Sequence, residues 1–78
     1  MKRTKLKKAR LKSGLSQREL ADKLGIAEIT VRQIENGNTD PGSKLAVKYA
    51  NFFKKPLEQL FPDIFLLKFD TKSIKQKA

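Results

Sequence analysis

The glycine at position 25, set between two short apolar-patterned segments, limits what this chain can fold into more than any other feature. "LSQRELADKL" runs into it and "IAEITVRQIENG" runs out of it. On the first side, Ser16-x-x-Glu19 has the form of a capping box: the hydroxyl takes an orphan amide and the carboxylate reaches back to the cap. A helix therefore begins at Gln17, with Leu20, Ala21 and Leu24 inward. Gly25 ends it in the left-handed conformation, which glycine adopts without a Cβ clash. A second helix begins near Ala27 or Glu28 and stops at Asn36-Gly37, with Ile26, Val31 and Ile34 on its apolar side.

Two short helices joined by a tight glycine turn make a helix-turn-helix. Ala21 must be small because the helices cross beside it. Once Leu20, Leu24, Val31 and Ile34 are buried, positions 28, 29, 32, 33 and 36 point away from the domain. The outward face of the second helix thus carries Glu28, Ile29, Arg32 and Gln33.

The remaining chain organises around this pair. A helix over about residues 4–13 turns Leu6, Ala9 and Arg10 to one side, and Gly14 stops it. "NGNTDPGS" is a turn-rich loop. A fourth helix over about residues 42–54 places Ala46, Tyr49, Ala50 and Phe53 at helical spacing. Pro56 breaks the chain, and "PLEQLF" makes a short fifth helix before Pro62. "DIFLLKFD" lacks helical periodicity and predicts a strand or extended segment, and "TKSIKQKA" is a polar tail. The expected fold class is all-α: a compact five-helix domain over 1–61, followed by an extension over 62–78 with a short extended segment at 64–69.

Composition narrows function. The chain has 78 residues with no cysteine and no histidine, which removes disulfides, thiolate metal sites, His-cluster hydrolysis and Ser-His or Cys-His catalysis. An enzyme, a metal, a cofactor and a small-molecule ligand are not expected. No apolar run approaches the ~20 residues of a membrane span, so a cytoplasmic, nucleoid-associated protein is expected. The net charge of +10 asks for an anionic partner. It is uneven: residues 1–12 hold seven basic side chains and no acid, whereas residues 16–40 hold three basic and five acidic ones. Such a chain grips phosphates at its edges and reads something at its centre.

"LSQRELADKLGIAEITVRQIENG", with Gln-x-x-x-Ala, Leu-Gly and Ile-Glu-Asn-Gly in order, resembles the phage repressor and Cro type (XRE-type) of helix-turn-helix DNA-binding family. The resemblance covers about residues 3–61. It implies a repressor-like domain that binds double-stranded DNA as a homodimer on a palindromic operator. It implies that Glu28, Ile29, Arg32 and Gln33 lie in the major groove. Ser16, Gln17, Thr30, Asn36 and Asn38 would hold phosphate, and Arg10 and Glu35 would pair across helices rather than touch DNA. Ala27 departs from the Ser or Thr frequent there, and removes a cap and a phosphate contact. Asp40 is a second departure, an acid facing the backbone it should attract, which a capping role on the fourth helix would explain.

On the helix alone Arg32 and Gln33 read as a solvated face; with the resemblance they read as base contacts, and side-chain chemistry says which bases they suit. Arg pairs bidentately with guanine, Gln with adenine, and Ile29 packs on a thymine methyl or at the helix edge. Glu28 accepts from cytosine or pairs with Arg32 at i, i+4 and orients it; the second role is preferred. Gly42 and Ser43 offer amides at a helix start, where phosphate binds, and Ser43 also suits a cap. Lys5 and Lys7 contact phosphate, either from a DNA-wrapping arm or from a solvated helix face. Phe65, Leu67 and Phe69 share one face of a strand, which pairs with its symmetry mate in a dimer or folds back over the core. The function expected is a dimeric repressor acting by operator occupancy. The alternative is an antitoxin that uses the same domain on its operon and neutralises a toxin through its C-terminal segment.

Overall fold

Gly25 sits at φ 72°, and the turn around it is a Schellman pair: the Ile26 amide donates to the Ala21 carbonyl at 3.0 Å and the Gly25 amide to that of Asp22 at 3.3 Å. Gly37 repeats the device at φ 79°, with the Asn38 amide on the Gln33 carbonyl at 2.9 Å and the Gly37 amide on that of Ile34 at 3.1 Å. Both helices of the central motif are therefore stopped by the same hydrogen-bond pattern. The first is also started as the sequence predicts. Ser16 Oγ accepts from the Glu19 amide at 3.0 Å, and Glu19 Oε1 accepts from the Ser16 amide at 2.8 Å.

The computed structural model describes residues 2–65. Six helices lie among them: α1 (Thr4–Lys12), α2 (Gln17–Leu24), α3 (Glu28–Asn36), α4 (Ser43–Phe53), α5 (Leu57–Leu60) and α6 (Pro62–Phe65). The all-α class holds, with one more helix than expected. The extended segment read over "DIFLLKFD" is corrected where it is described, because residues 63–65 are helical. Pro62 suits the first position of a helix, since its missing amide would have had no partner there. The Phe61 carbonyl then accepts from the amides of Ile64 at 3.0 Å and Phe65 at 2.8 Å. Leu67 and Phe69, and with them most of the expected dimer strand, lie outside the described residues.

The core gathers one stripe from each of the first five helices. Leu6, Leu20, Val31, Ile34, Ala46, Tyr49, Leu60 and Phe61 are all buried. Tyr49 and Phe61 meet edge to face, centroids 5.3 Å apart at 88°, the geometry that ring quadrupoles favour. Ala21 is buried where α2 meets α3, as its size requires. Phe65 does not present its ring as a free strand face; it lies partly buried against Phe61 at 6.3 Å.

Tyr49 is the one buried side chain whose polar atom has no hydrogen-bond partner among the described residues. Burial, and then the Glu35 carboxylate, push its phenol well above the ordinary value of 10.0. The folded state therefore holds this proton more tightly than the unfolded chain. That contribution is complete below the unfolded value and is lost as pH rises from it toward the folded value. Between pH ~10 and the folded pKa, stability should fall by up to about 1.4 kcal/mol per pH unit from this group. Tyr49→Phe should flatten that dependence in urea titrations at alkaline pH. At neutral pH the same variant should unfold no more easily than wild type, because it removes a buried hydroxyl without stranding a partner.

Candidate nucleic-acid interface

α3 places its outward side chains as the period of the helix dictates. Glu28, Ile29, Arg32 and Gln33 are exposed, and Ile29 keeps 47% of its surface in solvent. Glu28 Oε2 lies 3.9 Å from Arg32 Nη2. This loose exposed pair is worth about 0.3–0.5 kcal/mol, so its effect is to bias where the guanidinium points. Gln33 is steadied from the following turn. Its backbone carbonyl accepts from Asn38, and the Thr39 hydroxyl lies 3.4 Å from its Oε1. The Gln33 amide N–H groups are not used in these bonds.

Beside this face runs a groove of ≈ 570 Å³, bordered by Lys2, Lys7, Ser16, Gln17, Glu28 and Asn36. The fold thus brings five sequence-selected positions, Lys7, Ser16, Gln17, Glu28 and Asn36, to one trough. Ser16 uses its hydroxyl oxygen as an acceptor for the cap, which leaves the hydroxyl proton to donate to an anion. Gln17 has a second role that the sequence did not suggest: its Nε2 donates to Glu35 Oε1 at 3.2 Å. One amide N–H remains for an outside partner. Lys5 is not in this trough. It lies on the other flank of α1, with Lys8, Lys12 and Lys55.

The floor of the trough is a buried ion pair. Arg10 Nε and Nη2 donate to the two Glu35 oxygens at 2.6 and 3.1 Å, and Arg10 Nη1 donates to the Leu15 carbonyl at 2.8 Å. Both side chains are buried, so neither presents charge at the surface. Thr30 is half-buried on α3, whereas Asn38 is exposed just past Gly37. Ala27 is the N-cap of α3 and makes no side-chain cap bond.

Two expectations about the loop into α4 are corrected. Ser43 is the first helical residue and caps nothing; Gly42 is the N-cap, with no side-chain bond. Asp40 does not cap α4 either; it accepts from Arg3 Nη2. Arg3, one of the seven basic side chains of residues 1–12, is buried. Its Nη1 donates to the carbonyls of Ile34 at 2.6 Å and Thr39 at 2.8 Å, and its Nε contacts both Asp63 oxygens at 3.1 and 3.2 Å. Its own amide donates to the Glu35 carbonyl at 2.8 Å, and its guanidinium lies 5.8 Å from the Phe61 ring centroid. A planar fork with five donors is the side chain that can serve so many diverging acceptors. Nothing in "MKRTKLKK" separates Arg3 from its neighbours. The one available signal was Asp40, an acid out of place in a phosphate-facing loop, which suggests a cation of the protein's own beside it.

Comparison with known proteins agrees with this geometry. A family model described as helix-turn-helix matches residues 6–60. An uncharacterized HTH-type transcriptional regulator of Methanocaldococcus jannaschii, MJ0272, is 44% identical over 59 residues, which are 76% of this chain and 89% of that protein. A regulator of the same description from Archaeoglobus fulgidus is 39% identical over 59 residues, 76% of this chain and 84% of its own. The HTH-type regulator YgzD of Bacillus subtilis is 34% identical over 59 residues, 76% of this chain and 89% of its own.

The Arg3 junction gives a direct test. Arg3→Met removes the guanidinium from partly exposed Asp63 and from the Ile34 and Thr39 carbonyls, and should cost about 1–3 kcal/mol in urea unfolding. Arg3→Lys should recover only part of that, since one ammonium cannot reach all the acceptors. Asp40→Asn should cost less than about 1 kcal/mol, because that side chain is 70% exposed.

Proposed function

The chain belongs to the helix-turn-helix family of DNA-binding transcriptional regulators, and from that membership we propose that it is a homodimeric repressor that occupies a palindromic operator through α3. The observation that carries the reading is the outward face of α3, where an exposed arginine, amide and isoleucine stand together above a buried anchor. The protein is a regulator and not an enzyme. A DNA ligand fits a cytoplasmic setting.

In this reading Arg32 and Gln33 contact base edges, guanine and adenine respectively, and Ile29 meets a thymine methyl. Glu28 holds the Arg32 guanidinium toward its base. Lys7, Ser16, Gln17 and Asn36 take the phosphates of one strand, and Thr30, Asn38, Gly42 and Ser43 those flanking the groove. The α4 start supports this last role: its first turn offers amides that have no partner within the helix. Repression is by occupancy, with each copy of α3 in a half-site and the half-sites about one turn, ~34 Å, apart.

Selection from a random duplex library should return an inverted repeat with that spacing. On the selected site, Arg32→Ala and Gln33→Ala should each cost about 1–3 kcal/mol and relax preference at one base per half-site, with little change on random DNA. Equal losses on both kinds of DNA would remove α3 as the reading element. Lys7→Ala should act the other way, flattening the log–log salt slope by about one unit per half-site on any sequence. Sedimentation of the free protein tests the dimer separately from its DNA contacts.

A further inference from the structure

The fold sends the basic residues of positions 2–12 to three places. Arg3 and Arg10 are consumed inside the protein. Lys2 and Lys7 border the trough beside α3. Lys5, Lys8 and Lys12 lie at i, i+3 and i+7, one ladder on the opposite flank of the stripe that α1 buries. At ~1.5 Å per residue that ladder is about 10 Å long. Lys55, at the entry to α5, joins it across a second groove of ≈ 390 Å³ whose floor includes Gln59 and Leu60.

No carboxylate among the described residues lines this groove. Among the described residues none of the four lysines takes part in an ion pair. Glu58, the acid of α5, is exposed and is not part of the groove wall. Lys5 and Lys8 also border an adjoining depression lined by Asp63 and Lys2, but the Asp63 carboxylate is taken by Arg3. Among the described residues, then, no free acid lining either depression offsets the repulsion of the four ammonium groups. The groove also shares no residue with the trough beside α3.

We propose that this α1–α5 face is a second, sequence-indifferent DNA-backbone site, which takes the phosphates of another duplex segment while α3 engages the first. The proposal rests on the DNA-binding function above. A nucleic-acid backbone fits the face better than an acidic protein does. Protein interfaces draw their affinity from aromatic or arginine anchors in desolvated pockets. Here the apolar floor residue Leu60 is already buried, and the exposed large hydrophobics Leu11, Ile29 and Val47 are not in the groove. What the face offers is mobile point charges in a row, which neutralise phosphates and carry no base information.

The test uses the full chain and two short mixed-sequence duplexes, one fixed on beads and one fluorescent and free. Wild-type protein retained on the beads should capture the free duplex. Lys5→Gln/Lys8→Gln/Lys12→Gln should stay on the beads but lose that capture, and the salt slope of capture should flatten by about three units. Lys5→Arg/Lys8→Arg/Lys12→Arg should capture as wild type does, which separates charge from folding. Undiminished capture by the glutamine variant would overturn the proposal, because two α3 faces of a dimer would then be the bridge. Capture lost equally by the arginine variant would overturn it too. Wild-type protein that never stays on the beads would instead defeat the DNA-binding function on which the proposal rests.

Discussion

The Glu35 carboxylate is the junction on which the reading geometry depends. It stands on α3, yet its two oxygens are held by Arg10 of α1 and by Gln17 of α2. Its backbone carbonyl takes the amide of Arg3. Three segments outside α3 therefore converge on one residue of the helix that faces outward. Buried charge of this kind adds little net stability, because desolvation offsets most of the attraction. Its directional bonds do something that apolar packing cannot. Leucine and isoleucine contacts tolerate small rotations of α3, whereas a bidentate guanidinium at 2.6 and 3.1 Å does not. The rotation of α3 decides where Arg32 and Gln33 point, so a polar pin in the core governs a polar face at the surface.

The same economy appears in the residues that border the trough. Ser16 begins α2 with its oxygen and keeps its proton outward. Gln17 bonds inward to Glu35 with one N–H and keeps the other outward. Each has its position fixed by the use it makes of half its hydrogen-bonding capacity. A side chain held in this way loses less rotamer freedom on meeting a phosphate than a free surface lysine does. Lys2 and Lys7 add unrestrained charge beside them. In the proposed complex the trough would combine fixed donors, which set register, with flexible cations, which set attraction.

Much of this was legible in the sequence because it obeys local rules. The capping box, the glycine turn, the boundaries of α3 and the burial of Leu20, Ala21, Val31 and Ile34 follow from spacing within one or two turns of chain. The errors have a common cause, which is distance along the chain. Arg3 meets Asp63 sixty residues away and Asp40 thirty-seven away, and no local pattern carries such a pairing. Missing it left Arg3 undistinguished among the basic residues of 1–12 and assigned Asp40 to a cap. The strand read into "DIFLLKFD" failed at residues 63–65 for a related reason. Its composition favours extended backbone, but Pro62 and the Phe61 carbonyl start a helical turn that packs Phe65 on the core. Lys5 and Lys7 looked equivalent by charge, and only the identity of the buried stripe on α1 separates them.

Energetics constrain how such a small face can serve regulation. In the proposed complex, two bidentate base contacts at about 1–3 kcal/mol each would give one copy of α3 about 2–6 kcal/mol of discrimination. Specific regulators typically separate their sites from other DNA by about 4–10 kcal/mol. One reading helix therefore reaches at most the lower part of that range, and phosphate contacts cannot close the gap because they favour every sequence alike. Two copies on adjoining half-sites add their discrimination, to about 4–12 kcal/mol, without enlarging either face. The addition holds only if both faces are presented at fixed orientation, since a helix free to rock would satisfy wrong bases at little cost. This favours the dimeric reading. It also explains why a chain this small commits Arg10, Gln17 and Glu35, three polar side chains, to holding one nine-residue helix still.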